Sequence, residues 1–300
     1  MKYNCYIIED EISKNSRGSK NLLLTLMLTL FICMVEFIGG FISRSNALIA
    51  DAGHMLTDSA SLFVCYFASL VARRKADSEK TYGYYRIEIL ASLINGTLLI
   101  ILAIFVIYNA LRRYFSPVDI DGGIMLVVSL SGLIANLVGI LLLKGDTHNL
   151  NIKSALLHII GDTLSSIGVI AGSLIIIYTG YYIVDAIVST IIGFVIFINA
   201  VRLIRDATNI LLEAVPSTLK VKDIMNDIKS SISEIKDIHD VHIWSISSGI
   251  FIFSIHIVTE VKTIEETDTI IKRISSLMRE KYNILHTTVQ VESANFERGR

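Results

Sequence analysis

The chain has 300 residues, of which 52% are hydrophobic, 18% are charged and only two are proline, with a mean hydropathy of +0.59. Soluble globular chains carry roughly a quarter charged residues, so this composition excludes a wholly soluble protein. The net charge of −1 gives no electrostatic footprint for a nucleic-acid partner, and three widely spaced cysteines exclude a disulfide framework.

Six apolar runs are long enough to cross a bilayer, which takes about 20 mostly apolar residues. They lie at residues 21–42, 48–72, 86–111, 121–143, 153–178 and 182–203. Residues 1–20 are polar and too acidic for the n-region of a cleaved signal peptide. The sequence therefore predicts a multi-pass α-helical membrane protein with six transmembrane helices.

Positive charge predicts the orientation of these helices, because cytosolic loops collect Lys and Arg. With the N-terminus in the cytosol, the inner connections hold thirteen Lys and Arg and the outer ones hold three. Both termini are then cytosolic, and compact loops without a targeting segment favour the plasma membrane. The predicted domains are a cytosolic segment at 1–20, a transport domain at 21–213 and a cytosolic domain at 214–300.

The last part of the chain has a different composition, since residues 215–300 hold 23 of the 55 charged side chains. Helical patterns lie there at 219–232 and 264–281, and β-rich patterns lie at 237–246, 250–258 and 285–292. Thr263 followed by Glu266 predicts a capping box at the start of the second helix. The order predicts a small α+β domain of αββαβ type.

Ionisable residues inside the predicted spans need a function or a partner, because each costs at least about 2.5–3.5 kcal/mol near the bilayer centre. The second span contains Asp51, His54 and Asp58, and the fifth contains His158 and Asp162. His and Asp four residues apart lie on one face of a helix. If the two helices pack antiparallel, two imidazoles and two carboxylates meet in one layer.

Two imidazoles and two carboxylates in tetrahedral geometry suit Zn²⁺, and they also accept Co²⁺ or Cd²⁺. Two carboxylates balance the charge of a dication, which matters in the bilayer. The alternative is that each His–Asp pair is a hydrogen bond tying helices together. Asp51 lies one turn outward of His54, as either an access-path carboxylate or a helix-end residue. Glu36 in the first span is expected to face the bundle interior.

Five motifs follow one another between about residue 20 and residue 293: SNALIADAGHMLTDSASL, KTYGYYRIEILASLINGTLL, NIKSALLHIIGDTLSSIGVIAGSLI, IHDVHIWSIS and HTTVQVE. Through these motifs the sequence resembles the cation diffusion facilitator family, in its zinc-efflux branch. The resemblance implies a homodimer, a cytosolic ferredoxin-like domain, and export of Zn²⁺ from the cytosol in exchange for protons. It assigns the transport site to the matching positions His54, Asp58, His158 and Asp162.

The resemblance also implies zinc binding in the cytosolic domain, where neighbouring strands bring His239, His256 and His286 together. His242, three residues after His239, is expected on the opposite face of its strand. The alternative is that these are ordinary strand and loop histidines. No cofactor is expected apart from Zn²⁺, as cargo and as a regulatory ligand.

Besides a non-transporting zinc sensor or heteromeric partner, against which the intact four-ligand set argues, three other functions compete with zinc export. One is a Co²⁺-, Cd²⁺- or Ni²⁺-preferring exporter of the same family, and another is a proton-coupled carrier of organic cations. The third is an intramembrane metalloenzyme, which needs an open coordination position and usually a Glu base as in H-E-x-x-H. That motif is not in the sequence, so a secondary transporter is expected and not an enzyme.

Overall fold

A computed structural model describes residues 16–57, 71, 77–143, 150–247, 249–261 and 263–294. The chain divides into two compact units. The first comprises Met1–Val64 and Ile94–Arg202, and the second comprises Cys65–Leu93 and Leu203–Arg300. The first unit is built from long apolar helices, and the second contains a β-sheet.

Long helices match the predicted apolar runs wherever the structure describes them. They are α1 (Ser16–Ser43), α2 (residues 46–57), α3 (Arg86–Phe115), α4 (Gly122–Leu143), α5 (Leu150–Thr179) and α6 (Ile183–Leu211). The predicted second run continues beyond α2 outside the described residues.

These helices fall into two groups by length and apolar character. In the described part of the chain, four stretches are long and apolar enough to cross a membrane: Arg86–Phe115, Gly122–Leu142, Ile159–Thr179 and Ile183–Leu211. Met27–Ser43 is a shorter apolar helix. The outer surfaces of these helices expose large aliphatic and aromatic side chains, which is the distribution expected where lipid is the solvent.

Small residues let the helices of the first unit pack closely. Gly39 on α1 faces the side chain of Val128 on α4, and a Cβ built on Gly39 meets Val128 Cγ1 at 2.9 Å. A Cβ on Gly193 of α6 meets Ile107 Cγ1 of α3 at 2.7 Å. Glycine at such contacts is typical of membrane helices, where close van der Waals packing drives association.

The second unit contains the αββαβ domain predicted from the sequence. Its elements are α7 (Val221–Ser231), β1 (Ile235–Ser247), β2 (Ile250–Thr259), α8 (Ile264–Tyr282) and β3 (His286–Ser293). The sheet order is β1-β2-β3, with β1 antiparallel and β3 parallel to β2. The parallel pairing follows from the connection, because α8 carries the chain back across the sheet before β3 begins.

Aliphatic residues at helical and strand spacing build the core of this domain. Ile224 and Ile228 of α7, four residues apart, are fully buried, as are Phe253 and Ile255 of β2, two residues apart. Ile274 lies at the centre of the buried face of α8. The two helices therefore cover the sheet with apolar faces, as their sequence periodicities predict.

Polar contacts fix the start of α8 and join α8 to α7. The predicted capping box is confirmed, since Thr263 Oγ1 accepts from Glu266 N and Glu266 Oε2 accepts from Thr263 N. On α7, Asp227 accepts a 2.5 Å hydrogen bond from Lys281 of α8. That bond is the main reason why the pKa of Asp227 lies below its ordinary value.

Candidate metal centres

A direct contact between α2 and α5 lies beside the predicted transport site. Ser165 Oγ donates a 2.6 Å hydrogen bond to Asp51 Oδ1. Asp51 and Asp162 are both buried, at 2% and 3% exposure, and His54 is half-buried. Three of the five ionisable residues predicted for the two spans are thus described, and two of them are carboxylates removed from solvent.

The Ser165–Asp51 contact sets the relative level of the two helices. His54 lies three residues after Asp51 on α2, and Asp162 lies three residues before Ser165 on α5. In the antiparallel packing predicted from the sequence, equal offsets from the contact bring His54 and Asp162 to the same level. Sequence patterning missed Ser165, because a hydroxyl in an apolar helix has no distinctive signal.

The other two predicted ligands cannot be placed in this geometry. Asp58 lies outside the described residues, and so does the side chain of His158, although residue 158 belongs to α5. The backbone of α5 is helical from residue 158 to Asp162, so these positions are about one turn apart on one face. The four-ligand set remains a prediction.

Glu36 of α1 occupies the interior of the helical unit, as expected from the sequence. It is 1% exposed, and its Oε1 lies where a Cβ on Gly132 of α4 would be. Glycine at position 132 therefore makes room for the carboxyl group. The charges of Asp51 and Asp162 are near enough to act on it. Three buried carboxyl groups of α1, α2 and α5 share this interior.

The αββαβ domain contains a second cluster of candidate ligands on β1, β2 and β3. One ligand atom from each of His239, His256 and Glu292 lies within 4.8 Å of the others. Glu292 Oε2 lies 3.2 Å from His239 Nε2, and Glu292 Oε1 lies 3.0 Å from His256 Nδ1. His239 Nδ1 is buried and has no hydrogen-bond partner in the part of the chain that the structure describes. The donor set fits a small dication that prefers nitrogen and oxygen ligands.

Strand register decides which β3 residue joins this cluster. His239 pairs directly with His256, as expected, but His256 pairs with Gln290 on β3. His286 pairs with Ile252 and contacts the ring of Tyr82 instead. The structure therefore does not bring His286 to the histidine pair, because β3 runs parallel to β2 in this register.

Glu292 takes the place that the sequence analysis gave to His286. The two residues are six apart on β3 and therefore share a face. Their common face was readable from the sequence. The choice between them was not, since it depends on the pairing register of two strands separated by a helix.

A β-bulge in β1 corrects the expectation for His242. Between the pairs His239–His256 and His242–Ser254, three steps on β1 face two steps on β2. The extra residue brings His242 to the same sheet face as His239, so the expectation of opposite faces is wrong. Asp240 lies in this bulge and has a left-handed backbone conformation, with φ at 49°.

Asp240 connects the exposed His242 to the cluster. Its Oδ1 lies 2.9 Å from His242 Nε2, and its Oδ2 lies 3.3 Å from His256 Nε2. The hydrogen bond with His242 holds the pKa of Asp240 below its ordinary value, assisted by the nearby imidazoles. Asp240 therefore stays ionised beside the cluster at neutral pH.

Two polar contacts in the second unit join the start of α3 to later parts of the chain. Arg86 forms a 2.6 Å ion pair with Glu213, which follows α6, and Ser247 at the end of β1 donates a 2.5 Å hydrogen bond to Glu88. Both side chains of the ion pair are exposed, so its contribution to stability is small. The ion pair joins the start of α3 to the segment between α6 and α7.

Two family domains together match most of the chain. Residues 22–212 match the cation efflux transmembrane domain, and residues 216–294 match the cytoplasmic domain of cation efflux proteins. The chain belongs to the cation efflux family. The resemblance seen in the sequence motifs is thereby confirmed.

Several relatives of this cation efflux protein align over nearly its whole length. The cadmium, cobalt and zinc/H(+)-K(+) antiporter of Bacillus subtilis (strain 168) is 39% identical, covering 92% of this chain and 89% of its own. The zinc transporter ZitB of Pectobacterium atrosepticum is 37% identical, covering 92% and 86%. The metal cation efflux system protein CzcD of Cupriavidus metallidurans is 36% identical, covering 93% and 88%.

Proposed function

We propose that this cation efflux family member exports Zn²⁺ from the cytosol in exchange for protons, through a site formed by His54, Asp58, His158 and Asp162. The observation that carries the proposal is the Ser165–Asp51 hydrogen bond. It is the contact that aligns α2 with α5 and favours His54 and Asp162 as ligands of one ion.

The ligands of the proposed transport site explain why the metal ion and protons exchange for one another. Imidazole binds a metal ion only in its neutral form, and carboxylates bind it when ionised, so metal loading displaces protons from the same groups. Alternating exposure of such a site to the two sides couples metal export to proton entry. Asp51, buried and hydrogen-bonded to α5, serves as a carboxylate on the access path.

Metal identity is proposed from the ligands and from the relatives. Two imidazoles and two carboxylates favour Zn²⁺ over all-oxygen ions. The names of the relatives include zinc, cadmium and cobalt. Zn²⁺ is thus the principal cargo and Cd²⁺ and Co²⁺ are secondary ones, whereas family membership disfavours the organic-cation carrier.

The remaining features of the proposal concern assembly and location. Two chains associate as a homodimer through their cytosolic domains, residues 214–300, in the plasma membrane with both termini cytosolic. The experiment that tests the function is Zn²⁺ uptake into inside-out vesicles under an imposed pH gradient, with Co²⁺, Cd²⁺ and Ni²⁺ offered in turn.

A regulatory zinc ion is proposed for the cytosolic cluster of His239, His256 and Glu292. Its three ligand atoms lie close enough for one ion, and Zn²⁺ accepts two nitrogens and one oxygen with a fourth position for water or another ligand. His239 Nδ1 is also buried without a hydrogen-bond partner among the described residues, and a cation bound by this nitrogen would offset the cost of an isolated buried polar atom.

Replacing His256 with alanine is expected to remove about one bound Zn²⁺ per chain, because His256 contacts Glu292 and pairs with His239. The measurement is Zn²⁺ stoichiometry of the purified full-length protein. His286→Ala is the matched control, since His286 is also on the sheet but lies apart from the pair. Loss of the ion in His286→Ala, or its retention in His256→Ala, would refute this ligand set.

A further inference from the structure

One buried carboxylate of the helical unit has no part in the proposed transport site. Asp185, in the first turn of α6, is 0% exposed. Its Oδ1 accepts hydrogen bonds from Ser45 Oγ at 2.6 Å and from Ala47 N at 3.1 Å, and its Oδ2 accepts from Asn46 N at 2.9 Å. Three consecutive residues at the start of α2 therefore converge on one side chain of α6.

The arrangement suits the chemistry of a helix N-terminus. The first backbone N–H groups of a helix have no partner within it, and the helix dipole makes this end favourable for a negative charge. Ser45, directly before α2, caps this helix itself, because its Oγ accepts a hydrogen bond from Leu48 N at 3.2 Å. Asp185 adds a cap from another helix, so it ties the start of α2 to α6.

Helix α3 completes the attachment of the α2 start. Arg113 Nη1 lies 3.4 Å from Asp185 Oδ2 and also donates to the carbonyl oxygen of Arg44. Asn46 Nδ2 donates to the carbonyl oxygen of Val106 at 3.3 Å. A buried carboxylate paired with an arginine and with backbone donors is costly to disturb. The start of α2 is thus fixed to both α3 and α6.

This attachment bears on the metal site because His54 lies nine residues after Ser45. Residues 46–57 are one continuous helix, so His54 is about 13 Å along the axis from the attachment. A helix transmits both axial shift and rotation over this distance. We infer that Asp185 is a positioning residue that sets where α2 places His54 relative to Asp162, and so sets the preference of the site for Zn²⁺ over the larger Cd²⁺.

The inference rests on the proposed function, since it assumes that His54 and Asp162 hold the cargo. It also requires a carboxylate at position 185, and not only a side chain of that size. All four partners of the carboxylate are donors. An amide of the same shape offers one acceptor oxygen, and its NH₂ group turns toward two other donors. Asp185→Asn is therefore expected to release the α2 start although it hardly changes packing volume.

The test measures KM and maximal rate for Zn²⁺ and for Cd²⁺ with purified Asp185→Asn in proteoliposomes. The KM for Zn²⁺ is expected to rise about tenfold or more, because a displacement of about 1 Å in a preorganised site has effects of this size. The KM for Cd²⁺, an ion that tolerates longer ligand distances, is expected to change less. The matched control is Asp121→Asn, which alters an exposed carboxylate that caps its own helix at Ile124 N.

Three outcomes separate this inference from its alternatives. An unchanged ratio of the two KM values overturns it, including the case in which both maximal rates fall alike, because that is the result of a purely structural role. If Asp185→Asn does not fold, Ser45→Ala removes one of the same hydrogen bonds and must shift the ratio in the same direction. Normal Zn²⁺ transport by His54→Ala overturns the transport site itself, whatever Asp185→Asn does.

Discussion

Replacing either His54 or Asp162 with alanine is expected to lower Zn²⁺ uptake by at least about a hundredfold. Even residues that only support a metal ligand cost about 10–100-fold when removed, and these two are proposed as ligands. The measurement is the initial rate of Zn²⁺ uptake into vesicles, normalised to the amount of folded protein.

The control for these variants is Asp119→Ala, which removes an exposed carboxylate between α3 and α4. It is expected to transport Zn²⁺ at the wild-type rate. Wild-type Zn²⁺ flux in both His54→Ala and Asp162→Ala would show that the transport site does not lie between α2 and α5. Loss in His54→Ala alone would assign metal binding to α2 and require another partner for it.

Replacing Ile274 with alanine is expected to destabilise the cytosolic domain by about 2–5 kcal/mol, the range for removing a buried Ile side chain. Ile274 is fully buried between α8 and the sheet. The chain has a single tryptophan, Trp244 on β1. Its fluorescence reports unfolding of this domain in the full-length protein during denaturant titration.

Ile264→Ala is the matched control for this prediction, since it removes the same side chain from the same helix. Ile264 is 79% exposed at the start of α8. Its replacement is expected to change the free energy of unfolding by less than about 0.5 kcal/mol. Equal midpoints for the two variants would contradict the packing described for α8.

Local patterns predicted most of the secondary structure of the cytosolic domain. A run rich in β-branched and aromatic residues predicted a strand at 237–246, and β1 is Ile235–Ser247. The capping box at Thr263 was readable because both of its residues lie within one turn. Such features depend on neighbours in the sequence, so the sequence alone determines them.

Contacts between distant segments were harder to predict. Glu292 lies near His256 because of a strand register, and His242 shares their face because of a bulge at Asp240. Asp185 caps a helix that begins 139 residues earlier in the chain. No residue near Asp185 in the sequence identifies the start of α2 as its partner.

In the transport site too, spacing within each helix was readable from the sequence, whereas the contact between helices was not. The spacing of His54 from Asp58 and of His158 from Asp162 predicts two ligands on each helix face. The structure adds the Ser165–Asp51 hydrogen bond, which links α2 to α5 and is invisible to periodicity. The membership of Asp58 and His158 in the site stays a prediction.

The exchange of Zn²⁺ for protons is the central claim, and simultaneous recording of Zn²⁺ uptake and lumenal pH in inside-out vesicles tests it most directly. An acidic lumen is expected to accelerate Zn²⁺ uptake, and the lumenal pH is expected to rise as Zn²⁺ enters. Asp162→Ala vesicles are expected to show neither change. Zn²⁺ uptake that is equally fast without a pH gradient, and that leaves the lumenal pH constant, would contradict the proposed exchange.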